Sequence, residues 1–282
     1  MTEVTGAPNT PQPDAQQSVV APDGARITIT RVSRGPRDLL LVPGTGSPGA
    51  HWALVTALLD GCFSCWVMDR RGKGASGDRE PYSIEREYDD VAAVLASFDG
   101  APIGVAAHSS GAIVVLGAVA RGAAAAWMVL YEPPWPVDGR LAPAERIDAV
   151  EALIAAGDRD AALEVALRET MGIRAPWVEF MKSAPVWPDM LALAHTFPRE
   201  LRAIAALSAS VDHLATITIP ALVLCGTHTT APLRRAATAI ADVLPAATLA
   251  ELPEQGHGAL GTAPDLVARA IRDFATQARA QD

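Results

Sequence analysis

The chain has 282 residues, half of them hydrophobic and a fifth charged, which excludes a disordered polymer and fits one α/β core with room for an inserted sub-domain. With 32 acidic and 23 basic side chains the net charge is -9, without the basic footprint that phosphate binding needs, so no nucleic-acid partner is expected. Three cysteines, Cys62, Cys65 and Cys225, are too few and odd in number for a disulfide framework and fit a reducing compartment.

Met1 to Gln17 is polar and Pro-rich, with neither a basic start nor an apolar stretch; it reads as a disordered tail rather than a secretory signal. A strand near Ser18 to Ala21 comes first, and Arg26 to Val32 then alternates like a half-exposed strand. Asp38 to Val42, Cys65 to Met68, Ile103 to Ala107, Trp127 to Tyr131, Ala221 to Cys225 and Ala247 to Leu252 are compact, mostly apolar runs, as expected of strands covered on both faces. Eight strands alternating with helical segments predict a mostly parallel sheet with helices on both faces.

One of those helices carries Ile84, Tyr88, Val91, Leu95 and Phe98 on a single stripe. Another, at the end of the chain, opens with a Thr262 and Asp265 capping pattern, has Pro264 in its first turn, and turns Val267, Ile271 and Phe274 inward. The longest apolar stretch, Ala112 to Ala120, is far too short to span a bilayer, so no membrane partner and a cytoplasmic location are expected.

From Pro133 to Leu214 the alternation breaks: the segment has helical composition, many prolines and no convincing strand, and reads as a helical cap inserted after the sixth strand. The two core stretches are then 18–132 and 215–282. Trp135, Trp177 and Trp187 belong to this cap and are candidate pocket-lining residues, although helix-to-core packing explains them equally well.

The sharpest chemical signal lies in Ala107-His-Ser-Ser-Gly111, where an apolar strand passes directly into an apolar helix. A serine at so tight a strand-to-helix turn needs small residues two before and two after it, and Ala107 and Gly111 meet that need around Ser109. The helix directs its positive end at Ser109, and the N–H of Ser110 is free to bind a developing oxyanion. Ser110 is the other possible nucleophile, but His108 and Ala112 fit its flanks less well.

A glycine-rich turn, Val42-Pro-Gly-Thr-Gly-Ser-Pro-Gly-Ala-His-Trp52, follows the third strand; it lacks the lysine of a phosphate-binding loop and offers the Thr45 N–H as a second oxyanion donor. His51 and Trp52 pack at the start of the next helix. His257, between two glycines in Leu252-Pro-Glu-Gln-Gly-His-Gly-Ala-Leu260, supplies the base that a serine hydroxyl needs at neutral pH.

Together these segments and Met68-Asp-Arg-Arg-Gly-Lys-Gly-Ala-Ser-Gly-Asp78 resemble the α/β-hydrolase fold family, in the serine-nucleophile branch with a helical cap, over residues 18 to 280. The resemblance implies Ser109 as nucleophile, His257 as base, Thr45 and Ser110 as oxyanion-hole donors, and a structural role for Asp69 to Asp78. It also implies an acid after the seventh strand, but Cys225-Gly-Thr-His-Thr-Thr-Ala-Pro232 has no carboxylate. Glu132, directly after the sixth strand, is the best substitute; Asp212, His228 and Glu254 are lesser ones.

Cys62-Phe-Ser-Cys65 runs into a strand rather than opening a helix and reads as packing, and the other histidines make no ligand spacing, so neither metal nor cofactor is expected. The expected function is hydrolysis of a small or medium, largely apolar ester, lactone or thioester through an acyl-enzyme on Ser109. With the usual acid missing, a lyase, a C–C bond-cleaving or biosynthetic tailoring enzyme, and a ligand-binding protein that has lost turnover, remain open alternatives. The expected partner is a small-molecule substrate.

Overall fold

In the computed structural model, which describes residues 15–139 and 142–279, the apolar runs pair into one sheet. Its strands are β1 (Ala15–Val20), β2 (Arg26–Arg31), β3 (Asp38–Val42), β4 (Ser64–Asp69), β5 (Gly104–His108), β6 (Trp127–Tyr131), β7 (Ala221–Gly226) and β8 (Ala247–Leu252). They lie in the order β1-β2-β4-β3-β5-β6-β7-β8. β2 is antiparallel to both its neighbours, β1 and β4, and every other pairing is parallel.

The period of two along each central strand divides the core. Leu40, Val42, Val105, Ala107, Met128 and Leu130 face one layer, where α2 (Ile84–Ala96), α3 (Ser110–Ala120) and α9 (Ala231–Val243) pack. Leu39, Leu41, Ala106, Val129 and Tyr131 face the other, covered by α1 (Ala53–Leu59), α10 (Ala259–Thr262) and α11 (Pro264–Arg279). On α2, Ser83 caps the start by accepting from the Arg86 N–H. On α11, Val267, Ile271 and Phe274 are buried, each worth about 1.5–3 kcal/mol.

Between β6 and β7 the chain forms the helical cap: α4 (Ala144–Ala155), α5 (Arg159–Val165), α6 (Ala175–Ser183), α7 (Val186–Leu193) and α8 (Phe197–Ala205). It has its own apolar centre, with Val150, Leu163, Leu167, Val178, Trp187, Met190 and Phe197 packed together. α8 belongs to both parts, because Phe197 joins the cap centre while Ile204 joins the α2–α3 layer of the core.

Three readings of the sequence need correcting. Ala15–Gln17 are not tail but the first half of β1, which pairs Ala15 with Arg31 and Gln17 with Ile29; Met1–Asp14 lie outside the described residues. β8 is not covered on both faces: it is an edge strand with Leu249 40% exposed, its apolar composition notwithstanding. Thr262 does not cap α11, since it ends the short helix α10 with its hydroxyl on Gln255 Oε1 at 2.7 Å, and Ala263 stands between it and Pro264, where α11 opens.

Candidate active site

β5 ends at His108, α3 begins at Ser110, and Ser109 alone makes the corner, at φ 55° and ψ -129°. Few side chains tolerate this backbone, and the corner holds because its neighbours are tight. The Ser109 N–H donates to Tyr131 O, extending the β5–β6 ladder. A Cβ on Gly111 would sit 2.5 Å from Pro43 O, and one on Gly44 would sit 2.9 Å from Ser109 Cβ. The small residues are therefore needed because the turn after β3 passes directly over the elbow. Ser109 is 5% exposed, and its hydroxyl hydrogen-bonds no other described residue.

Glu132 follows β6, also at positive φ (47°), and is completely buried. Its Oε1 accepts from the Gly226 N–H at 2.8 Å, and its Oε2 lies 2.7 Å from His257 Nδ1. The end of β7 thus offers a backbone amide that aims a carboxylate from β6. A carboxylate accepts, so in the neutral ring this contact favours the tautomer with the proton on Nδ1 and the free lone pair on Nε2. Glu254 is exposed and faces His228 at 3.6 Å; neither these two nor Asp212 touches the His257 ring.

The loop carrying His257 is tied down by the ends of β5 and β6. His108 Nε2 donates to His257 O at 3.0 Å, and the two rings are 4.5 Å apart. The Tyr131 hydroxyl donates to Gly256 O and accepts from the Ala259 N–H. Burial, with His257 and His51 nearby, holds the His108 imidazole well below its usual range, so it is neutral and its Nδ1 is a buried acceptor without a hydrogen bond. His51 and Trp52 lie in the 3-10 turn before α1, as expected, with His51 Nδ1 2.9 Å from Ser47 Oγ.

Thr45, on the turn after β3, and Ser110, next to the corner serine in the chain, meet with their hydroxyls 2.9 Å apart. Neither backbone N–H donates to a carbonyl among the described residues, and Ser110 is the first residue of α3, where no intrahelical partner exists. The Ser110 hydroxyl is also occupied by Arg70 Nη1 at 2.8 Å, so it is poorly placed to act as the nucleophile.

The three tryptophans sit in three different places. Trp187 is buried in the cap centre with its N–H on Asp160, and Trp135 is buried with its N–H on Ser208 O, beside a shallow cleft formed with Pro136, Val137, Pro232 and Arg235. Trp177 lies on the outer surface, 48% exposed, edge-on to Phe180. Trp187 is accounted for by packing of the cap and Trp135 by packing in the core layer of α2 and α3, and none of the three hydrogen-bonds to Ser109 or stacks on His257 among the described residues. Cys62 and Cys65 are free, and burial pushes the Cys65 thiol up to about 11, as suits a packing residue. Among the described residues no group of three or more His, Cys, Asp or Glu could hold a metal ion, and no helix is long and apolar enough to cross a membrane.

With a corner serine, a carboxylate-held histidine and this strand order in place, the comparison with known proteins is direct. Residues 39–270 match the model of the alpha/beta hydrolase family. The chain belongs to that family. An alpha/beta hydrolase from Sphaerobacter thermophilus is 36% identical, with a TM-score of 0.82 over 92% of this chain and 99% of that one. The enol-lactonase of Burkholderia xenovorans is 21% identical and superposes with a TM-score of 0.74 over 92% and 100%. N-formylmaleamate deformylase of Pseudomonas putida is 32% identical over 126 residues, 44% of this chain, which spans 47% of that relative's length. The chain is a hydrolase enzyme by this membership.

One part of this alpha/beta hydrolase site is absent from the sequence reading. The loop Asp69–Asp78 is structural in its outer half, where Arg71 makes a bidentate pair with Asp90 at 2.7 Å and Asp69 accepts from the Ala75 N–H. Its other two cations turn inward. Arg70 pairs bidentately with Glu87 at 2.6 and 2.7 Å and reaches Glu200 at 3.1 Å, while Lys73 Nζ lies 2.8 Å from Glu200 Oε1. Glu200 comes from cap helix α8. Burial alone would raise its carboxyl, but Arg70 and Lys73 overcome that and hold it down at about 2. Burial and the Arg70 charge instead push the Lys73 ammonium down to about 8, against the pull of Glu200 and Glu87. The available signal was periodic: Phe197, Glu200 and Ile204 share the inner stripe of α8, and an acid on a buried stripe needs a cation opposite.

Proposed function

We propose that the protein is a serine hydrolase that works through an acyl-enzyme on Ser109, with His257 as base, Glu132 as the acid that orients it, and the Thr45 and Ser110 N–H groups as oxyanion donors. The Glu132 Oε2 to His257 Nδ1 contact of 2.7 Å carries this reading, because it favours the tautomer that a serine base requires.

In the first half-reaction His257 Nε2 removes the Ser109 hydroxyl proton as Oγ attacks the acyl carbon. The carbonyl electron pair moves to oxygen, where the two amides stabilise it, and the imidazolium returns the proton to the leaving group. Water, deprotonated by the same Nε2, then attacks the acyl-enzyme and releases the acid and Ser109. The Ser109 hydroxyl makes no hydrogen bond to His257 among the described residues, and in enzymes of this kind that bond often forms only in the bound complex.

A small ester, lactone or thioester is the substrate class. Relatives named for an enol-lactone and an N-formyl substrate support acyl-carbon chemistry. For an apolar preference, Trp187 is used in packing and Trp177 faces outward, which leaves only Trp135, beside its cleft, as a pocket-lining residue. The non-hydrolytic and binding-only alternatives rested on the missing acid, and Glu132 supplies a carboxylate at the histidine. Labelling with a fluorophosphonate, read by intact mass and peptide mapping, tests the proposal. One adduct on Ser109, absent from Ser109→Ala and slowed in His257→Ala, is expected; folded protein that stays unlabelled would sink it.

A further inference from the structure

We infer that Glu200, supplied by the cap, is a positioning residue that fixes the oxyanion turn through the Thr45 hydroxyl and the Lys73 ammonium; this rests on the acyl-enzyme reading above. Burying two cations and two anions together is rarely a net source of stability, so what the cluster touches is informative. Its contacts converge on four consecutive or facing groups. Arg70 Nη1 is 3.4 Å from Pro43 O and 2.8 Å from Ser110 Oγ, Lys73 Nζ is 3.2 Å from Gly44 O, and Glu200 Oε2 is 2.9 Å from Thr45 Oγ1.

The proton count orders these contacts. Glu200 only accepts, so it takes the single Thr45 hydroxyl proton; the Ser110 hydroxyl must then use its own proton toward Thr45 and accept from Arg70. A directed chain runs from Arg70 through Ser110 and Thr45 to Glu200, and it passes through both residues whose amides face the developing oxyanion. The turn it holds lies between the end of β3 and the 3-10 turn at Gly49, so no ladder or helix fixes its backbone. Phe197 closes it from above, its ring standing where a Cβ on Gly46 would be. A donor misplaced by about 1 Å costs on the order of a hundred-fold in rate, so a contact that sets the Thr45 N–H acts on chemistry rather than on binding. The cap thereby completes the site: α8 must be seated for the turn to be aimed. Arg199 beside Glu200 seats it on the same loop, pairing with Asp78 at 2.7 Å and lying over the Tyr82 ring.

The test is the second-order rate at which a fluorophosphonate modifies Ser109 in the parent, Glu200→Ala, Glu200→Gln, Thr45→Val and the double variant Glu200→Ala/Thr45→Val, with thermal melting of each. Glu200→Ala and Thr45→Val should each slow labelling about ten-fold or more. Glu200→Gln, which keeps an acceptor for Thr45, should lose less. The double variant should be no slower than the slower single, because both act along one path. If Glu200→Ala does not fold, the same cycle is run with Glu200→Gln. A labelled parent whose folded single variants react within about two-fold of its rate, or a double variant showing the product of the two losses, overturns the positioning role alone. A parent unlabelled at Ser109 removes the acyl-enzyme reading and this inference together.

Discussion

Glu132 accepts one hydrogen bond with each oxygen, from the Gly226 amide and from the His257 ring. Replacing it by Gln keeps the shape but leaves one oxygen and one NH2 to serve two donors, so either the amide or the correct tautomer is lost. Glu132→Gln should lower kcat on an activated ester such as p-nitrophenyl acetate by about four orders of magnitude, with folding intact. Activity within a few-fold of the parent would remove Glu132 from the mechanism. At this scale the sequence was uneven. Ser109 and His257 announce themselves through their immediate neighbours, because the steric needs of the elbow and the His loop are local. Glu132 could be chosen only by finding the usual position empty. Arg70, Lys73 and Glu200 stayed hidden because their partners are as much as 155 residues away in the chain.

Elements were more legible than single contacts. A buried parallel strand must be a short apolar run and a two-sided helix must show a stripe, so all six apolar runs were found within a residue or two. The misread ends have tertiary causes: β8 is apolar yet lies at the sheet edge, and Thr262 finds Gln255 before it can cap α11. A helix-to-helix contact gives the sharpest test at this level. Gly117 on α3 lets Tyr88 of α2 approach so closely that a Cβ there would stand 2.3 Å from the ring. Gly117→Val should cost about 1–3 kcal/mol, with a lower urea midpoint and an unchanged m-value. An unchanged midpoint would mean that the two helices separate without cost.

Across the whole molecule, stability should depend on pH through groups kept neutral inside it. His108, ordinarily near 6.5, is depressed in the folded chain, so below that pH the unfolded chain binds a proton that the folded one refuses. Stability from this group is therefore complete above about 6.5 and falls as the pH drops toward 5, by at most about 1.4 kcal/mol per pH unit. His51, depressed by burial, acts with the same sign. Asp90, which burial raises to about 6, acts with the opposite sign. The parent should thus be compared with His108→Phe by urea denaturation at several pH values. A flatter curve is expected for the variant, and identical slopes would exclude His108 as the source. The cap was legible as an insertion but its use was not: of the tryptophans that suggested a pocket, Trp187 packs in the cap centre and Trp177 faces outward, while the acid on α8 contacts the turn after β3.

Among the described residues only three other than glycine have left-handed backbone, and two of them are Ser109 and Glu132. Such torsion angles cost of order 1–3 kcal/mol each, and glycine would adopt them freely. A lineage relieved of turnover would find glycine an easy gain in durability at the Ser109 corner, but not at the Glu132 corner, where it would orphan the buried Gly226 amide. The serine corner is thus the one that drift would smooth first, and Ser109→Gly should melt at a higher temperature than the parent.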